Sequence, residues 1–259
     1  MTSPAEREAD VVPPATRHTG AVSPAPRTAV SIPQMSIPPV SVPPVVVVTG
    51  TDTGVGKTIT TAALAAALAA LGRTVAVVKP VQAGTEDGAG DADVVARLAT
   101  PATVREGIRL PDPMAPVAAA ERARVVLPPV RSHASAIREL ADRHDHVLVE
   151  GAGGILVELD GEAGTLADLA VALGAPAVVV CRSGLGTLNH TALTREALER
   201  RGVPVLGLAI GAWPESPGPI EEDNRRRLGP LLGAIPEGAG TIPAGTFRSL
   251  APAWFPTIT

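Results

Sequence analysis

Val45-Val-Val-Val-Thr-Gly-Thr-Asp-Thr-Gly-Val-Gly-Lys-Thr58 is the stretch whose reading decides the fold. An apolar run of strand length ends in a Gly/Thr-rich loop. The loop closes on Lys57-Thr58, and an Ala/Leu-rich helix continues from Ile59 to Leu71. Strand, phosphate loop and helix follow one another without a gap. Gly54 and Gly56 lack Cβ atoms, so the backbone there can curl around an anion and aim several N–H groups at it. The first turn of the helix adds unpaired N–H donors and the positive end of its dipole. Lys57 can reach the β- and γ-phosphates of a nucleotide, and the Thr58 hydroxyl can ligate Mg²⁺. The usual G-x-x-x-x-G-K-[ST] spacing puts the first glycine at position 51, which here is Thr51; the glycine stands one place earlier, at Gly50. The bland alternative is a chance Gly-Lys-Thr at a helix start. A four-valine strand before it and an uninterrupted helix after it favour a loop that holds a nucleoside triphosphate.

The bulk numbers exclude several other classes. The chain has 259 residues, 45% of them hydrophobic, enough for one α/β domain of ordinary size. Net charge is −4, aromatic content is 2% with no tyrosine, and the only basic run is Arg225-Arg226-Arg227. Single-stranded nucleic acid needs aromatic platforms and a duplex needs a basic face, so no nucleic-acid partner is expected. A single cysteine, Cys181, fits a reducing compartment and, in a β-rich apolar run, reads as a small hydrophobe. No apolar run approaches membrane-spanning length and the N-terminus does not read as a secretory signal, so the expectation is a cytoplasmic protein with no membrane partner.

Residues 1–43 are crowded with Pro, Ser, Thr and Ala, and Ile-Pro and Val-Pro pairs recur from Ile32 to Pro44. Proline removes backbone donors and holds its predecessor extended, so this segment is expected to be a disordered extension. Residues 44–259 are expected to form one domain. Thr74 to Val81 reads as a second buried strand ending on Lys79-Pro80, which would turn the Lys79 ammonium toward the phosphate loop. Asp91 to Leu98 reads as a short helix whose first-turn acids suit its dipole. Residues 107–130 are proline-interrupted with a small helix from Pro116 to Arg122, and an amphipathic helix covers Val130–Arg143. His146 to Gly154 is a core strand ending on Glu150, an acid costly to bury alone; either metal coordination opposite the phosphate loop or a structural salt bridge, with an Arg for example, would meet that cost. Gly151, Gly153 and Gly154 after it allow close ligand approach. Helix (Thr165–Leu173), strand (Ala177–Cys181), helix (from Thr187 or a neighbour as cap, to about Arg201), strand (Val205–Ile210), helix (Ile220–Leu231) and strand (Leu231–Ile235) complete the alternation. The C-terminal segment carries weak periodicity and stays unassigned; His190 has no acid–base partner in sequence and reads as structural. The whole pattern predicts an α/β fold with a doubly wound, mainly parallel sheet and helices on both faces.

Four segments stand in order: GTDTGVGKT at 50–58, KPVQAG at 79–84, VEGAGG at 149–154 and LGTLNHT at 185–191. Together they resemble the dethiobiotin synthetase family, ATP-dependent cyclo-ligases of biotin biosynthesis, over about Val45 to Gly240. Partition-type ATPases, which share the phosphate loop, carry a lysine where this chain has Asp52. The resemblance implies ring closure of 7,8-diaminopelargonate with CO₂ and ATP through a carbamate and a carbamic-phosphoric anhydride. It implies catalytic Thr53, Lys57 and Lys79, and Mg²⁺ on Thr58, Asp91 and Glu150, with Asp93 as the alternative to Asp91. Nucleotide contacts fall on Gly54, Val55, Gly56, Lys57, Thr58, Ile59, Asp91, Glu150, Gly151, Ala152, Gly153, Gly211, Ala212, Pro236, Glu237 and Gly238. Substrate contacts fall on Thr53, Lys79, Ala83, Gly186, Thr187, Leu188 and Asn189, the last four offering backbone N–H groups to the distal carboxylate across a homodimer interface. Two departures stand out. Ala83 replaces a common hydroxyl residue, and Gly211-Ala212 lacks an asparagine that contacts adenine, so base recognition through backbone groups and loose nucleotide choice are expected. Two rivals remain: a cobyrinic-acid-type amidoligase, which would need a cysteine nucleophile, and a nucleotide-switched partner-binding ATPase.

Overall fold

In the computed structural model the described residues are 39–85 and 88–259; residues 1–38 of the expected extension lie outside them. The strands are β1 (Val45–Gly50), β2 (Val75–Ala83), β3 (Thr103–Leu110), β4 (His146–Gly154), β5 (Ala177–Cys181), β6 (Val205–Trp213) and β7 (Leu231–Pro236). The helices are α1 (Lys57–Ala70), α2 (Asp91–Ala99), α3 (Pro116–Ala123), α4 (His133–Ala141), α5 (Leu166–Leu173), α6 (Thr187–Glu199), α7 (Pro219–Leu228) and α8 (Ala244–Trp254). The strands form one sheet in the order β3-β2-β4-β1-β5-β6-β7, and every pairing is parallel.

The valine run of β1 is apolar at every position because both faces of the sheet are covered. Val46 points into a core with α1, α2 and α8, where Leu64, Leu68, Leu98 and Phe247 are buried. Val47 points the opposite way, into a core with Ile137, Leu140, Leu166 and Leu169 of α4 and α5. Val147 and Leu148 of β4 divide between the same two cores. The alternation therefore lies in which core a residue enters, which is why a hydrophobicity count along the chain shows no period of two.

Five expectations need correction. β2 does not stop at Lys79-Pro80 but runs on to Ala83 along β3; its last pair with β4 is Val78–Val149, so Lys79 sits where the two strands part. Part of the segment taken as irregular is β3, an edge strand whose TVREGIRL sequence alternates between half-buried and exposed. Val130–Arg143 is a short 3-10 turn, Val130–Ser132, followed by α4. The unassigned C-terminus holds α8, anchored by fully buried Phe247 with Trp254 edge-on to it at 5.1 Å. Residues 39–43, counted with the extension, also pack on the domain: Val40 bridges Ile258, its N–H donating to Thr257 O at 2.7 Å, and Val42 is buried.

Candidate active site

β1 lies between β4 and β5, with β2 beyond β4, so the C-terminal ends of these strands open on one crevice. The loop after β1 is shaped by steric demands. A Cβ on Gly50 would lie 2.7 Å from Val55 Cγ2, and one on Gly56 would lie 2.5 Å from Gly211 O. Gly54 and Gly56 have φ of 72° and 95°, a region L side chains rarely adopt. The loop's underside therefore rests on β6, and Val55 is buried there against Val48 and Val180. Thr51 N–H donates to Val180 O at 2.9 Å, fixing the loop to β5 as well.

Across the crevice four side chains converge. Lys79 Nζ lies 2.6 Å from Asp91 Oδ2 and 2.9 Å from Glu150 Oε1, and donates to Gly151 O at 2.8 Å. Thr58, on the first turn of α1, donates its hydroxyl to the same Glu150 oxygen at 2.9 Å. Lys79 and Glu150 are almost fully buried, 3% and 1% exposed, while Asp91 at 35% faces the opening. Burial alone would lower the Lys79 pKa, but the Glu150 and Asp91 carboxylates hold it above the usual lysine value. Burial would raise the Asp91 pKa, and the Lys79 ammonium outweighs it and keeps Asp91 ionised. Lys57 shifts the other way: burial, then repulsion from Lys79, lowers its pKa. Its Nζ donates to Asp52 O at 3.0 Å.

The structure separates Asp91 from Asp93. Asp93 accepts from Gly90 N and pairs with Arg109 at 2.7 Å, which makes it the capping acid of α2. Asp91 is the one that meets Lys79. Gln82, which sequence reasoning passed over, sets that position: its Oε1 accepts from Asp91 N at 2.8 Å while its Nε2 donates to Ala83 O. Thr58, Asp91 and Glu150 present oxygen atoms only. That is the donor chemistry Mg²⁺ takes, one or two carboxylates completed by phosphate and water. Among the described residues no set of three or more His, Cys, Asp or Glu gathers for a metal, so a hydroxyl and a nucleotide would have to complete this one.

The remaining expected residues fall in three places. Gly151, Ala152 and Gly153 form the lip beside Thr53; a Cβ on Gly153 would sit 3.6 Å from Thr53 Oγ1. Ile59 lies on α1 and packs on Gly240. Gly211 and Ala212 lie near the end of β6, and the Pro236–Gly238 segment joins them where Glu237 N donates to Trp213 O at 2.8 Å. Ala83 closes β2 and brings only a methyl group. Gly186, Thr187, Leu188 and Asn189 open α6, and the cap is the neighbour of Thr187 rather than Thr187 itself. The N-cap is Gly186 at φ 87° with no side-chain cap, and the Thr187 hydroxyl is buried without a partner. Arg182, also unforeseen, pairs with Asp52 at 2.9 Å and ties this segment to the phosphate loop. Cys181 is a buried hydrophobe whose pKa burial raises.

Residues 45–244 match the family model described as AAA domain. The chain is 51% identical to the ATP-dependent dethiobiotin synthetase BioD of Mycobacterium avium, an alignment covering 83% of this chain and 92% of that one. It is 54% identical to the protein of the same name from Streptomyces coelicolor, over 81% and 90% of the two chains. Among solved structures, the Pyrococcus horikoshii septum site-determining protein MinD superposes with a TM-score of 0.52 at 20% identity, over 83% of this chain and 93% of that one. A ParA family ATPase from Chlorobium tepidum gives 0.51 at 14% identity, over 83% and 96%. At that identity the two likenesses establish the phosphate-loop fold.

Proposed function

The chain belongs to the dethiobiotin synthetase family, and from that membership we propose how its own residues carry out the reaction. The enzyme is an ATP-dependent carbon–nitrogen cyclo-ligase that closes the ureido ring of dethiobiotin from 7,8-diaminopelargonate and CO₂. One amine adds to CO₂ and loses a proton, giving a carbamate. A carbamate oxygen then attacks the γ-phosphorus, and ADP leaves with the bridging oxygen and its electron pair. The second amine attacks the carbonyl carbon of the mixed anhydride, phosphate departs, and the ring is closed.

Each step brings anion to anion, so the protein's task is to neutralise charge that builds in one place. Lys57 and Gly54–Thr58 take the triphosphate; leaving Asp52 O for phosphate oxygens restores to Lys57 a full counter-charge. Lys79 is held between Asp91 and Glu150, behind Asp91 at the opening, and turns its ammonium to the carbamate and the γ-phosphate when substrates bind. Thr53, on the lip, orients the carbamate. Thr58, Asp91 and Glu150 would hold Mg²⁺, which when bound would supply positive charge against the phosphate oxygens. The observation that carries this reading is the convergence of Thr58, Lys79, Asp91 and Glu150 within direct contact of one another.

Base recognition falls to the backbone of Gly211–Ala212 and Pro236–Gly238. A side chain at Gly211 is excluded, since its Cβ would lie 2.0 Å from Val55 O. Choice among ATP, CTP and GTP is therefore loose. A homodimer built on α6 completes the substrate site: Leu185, Leu188 and Leu193 are exposed at 76%, 37% and 57% while α6 buries threonines inward. Among the described residues no helix is long and apolar enough to cross a membrane, and the enzyme works in the cytoplasm. Incubation with diaminopelargonate, bicarbonate, ATP and Mg²⁺ tests the reading. Dethiobiotin formed in equal amount to ADP supports it, and ADP formed without ureido product would leave only a nucleotide-switched ATPase.

A further inference from the structure

Asn224 of α7 is 7% exposed, and nothing in its sequence surroundings marks it. Its Nδ2 donates twice, to Ser183 O at 2.8 Å and to Gly184 O at 3.0 Å. Both carbonyls belong to the loop that leads from β5 into α6. Loop carbonyls at such a turn otherwise find water, and a buried amide that holds two of them fixes the peptide planes on either side. Gly184 O also receives Thr187 N–H at 3.4 Å, so the clamp reaches the first turn of α6 directly. From the opposite side Arg182 pairs with Asp52 of the phosphate loop. α7 itself is tied to the end of β6, where the Arg225 guanidinium stacks 5.0 Å above the Trp213 ring.

We infer that Asn224 is a positioning residue for the diamine substrate: through Ser183 and Gly184 it sets the backbone N–H groups at Gly186–Asn189 that receive the distal carboxylate. This rests on the proposed carboxylate role of that segment. It holds whether the segment serves its own subunit's site or its partner's. A hydrogen-bonded loop that loses its anchor spreads over several conformations, and N–H donors aimed at one anion lose their common focus. Nucleotide binding, on the other side of the Asp52–Arg182 pair, does not depend on the clamp.

The test compares wild type with Asn224→Asp, which keeps the shape and removes both donors, and with Asn224→Ala. Arg226→Ala, on the exposed face of α7, is the control. KM and kcat are measured for diaminopelargonate and for a diamine analogue in which a methyl group replaces the carboxylate. The loss of two buried donor contacts is expected to raise KM for diaminopelargonate about ten- to a hundredfold, with kcat and the KM for ATP changed less than about threefold. For the analogue, which has no carboxylate to place, the variants should match wild type. An equal loss on both diamines, or a parallel rise in the KM for ATP, would make Asn224 a structural residue only and overturn the inference. If wild type itself handles both diamines equally, the carboxylate role of Gly186–Asn189 fails first, a different result from a wild type that discriminates and variants that discriminate equally well. Thermal unfolding of each variant separates misfolding from misplacement, and Asn224→Gln, which restores an amide donor, should recover part of the KM.

Discussion

Substituting Gly211 by alanine adds one methyl group at the point where β6 supports the phosphate loop. Its Cβ would lie 2.0 Å from Val55 O, 2.8 Å from Val180 Cγ1 and 3.0 Å from Gly56 Cα. Val180 is fully buried and cannot retreat, and the Val55 oxygen is backbone, so no side-chain rotation relieves the clash. Real Cβ contacts keep at least 3.0 Å, so Val55 and Gly56 must move outward by about 1 Å. Those residues lie within the anion cradle. A displacement of that size at a positioned site costs roughly a hundredfold, or about 2.7 kcal/mol of nucleotide binding. The overpacking itself costs about 1–3 kcal/mol, which for a domain of this size lowers Tm by roughly 2–10 °C. Titration calorimetry with ATP and with ADP, beside a thermal melt, reads both. Arg226→Ala, on the exposed face of α7, should leave both unchanged. A Gly211→Ala protein that binds nucleotide within about threefold of wild type, with an unchanged Tm, would refute the claim that β6 shapes the cradle.

Four further outcomes are expected. Lys79→Ala should abolish ring closure while leaving ATP affinity within a few-fold; near-normal turnover would remove Lys79 from the mechanism. The same variant leaves Glu150 buried beside Asp91 without its cation, so in metal-free buffer it should lose about 3–5 kcal/mol of stability, part of which Mg²⁺ restores. Asp160 is buried. Burial would raise its pKa, but the N–H groups of Val130, Gly164 and Glu162 donate to it and hold the carboxyl below the usual range. A depressed folded-state pKa gives stability that is present above the unfolded value of about 4 and lost as pH falls through the folded one. Asp160→Asn should therefore cost about 1–3 kcal/mol at pH 7, with the gap to wild type closing below about pH 4; a gap independent of pH would contradict this. Compared at saturation, ATP, CTP and GTP should support turnover within about tenfold of one another, and a strong preference for ATP would mean that a side chain reads the base.

Much of the fold was legible because buried parallel strands write themselves as runs of valine and alanine. Val45–Val48, Val75–Val78 and Ala177–Cys181 stood out for that reason, and each tip carried its own chemistry. β3 was hidden because an edge strand covers one side only: Arg105 and Arg109 are exposed, and Gly107 between them interrupts its apolar signal. Gly107 is there for close approach, since a Cβ would lie 2.1 Å from Pro80 O. α8 was hidden because Pro252 lies inside it and two side chains, Phe247 and Ala251, supply its fully buried contacts.

At the site, Lys57, Thr58, Lys79 and Glu150 could be named from motif and strand position. The choice of Asp91 over Asp93 could not, since both suit the first turn of a helix. Which of the two meets Lys79 is set by Gln82, whose Oε1 accepts from Asp91 N, and by Arg109, which pairs with Asp93 from a neighbouring strand. Asn224 and Arg182 act through contacts 41 and 130 residues away in sequence, and no local pattern records such pairings.

The most direct test of the account is a crystal structure with a non-hydrolysable ATP analogue and Mn²⁺ in place of Mg²⁺, read by anomalous scattering. The account predicts one metal peak bonded to the Thr58 hydroxyl and to phosphate oxygens, with Asp91 and Glu150 around it and the Lys79 ammonium turned toward the γ-phosphate. A metal bound away from these residues, with Lys79 still clamped between its two carboxylates while nucleotide fills the loop, would contradict it.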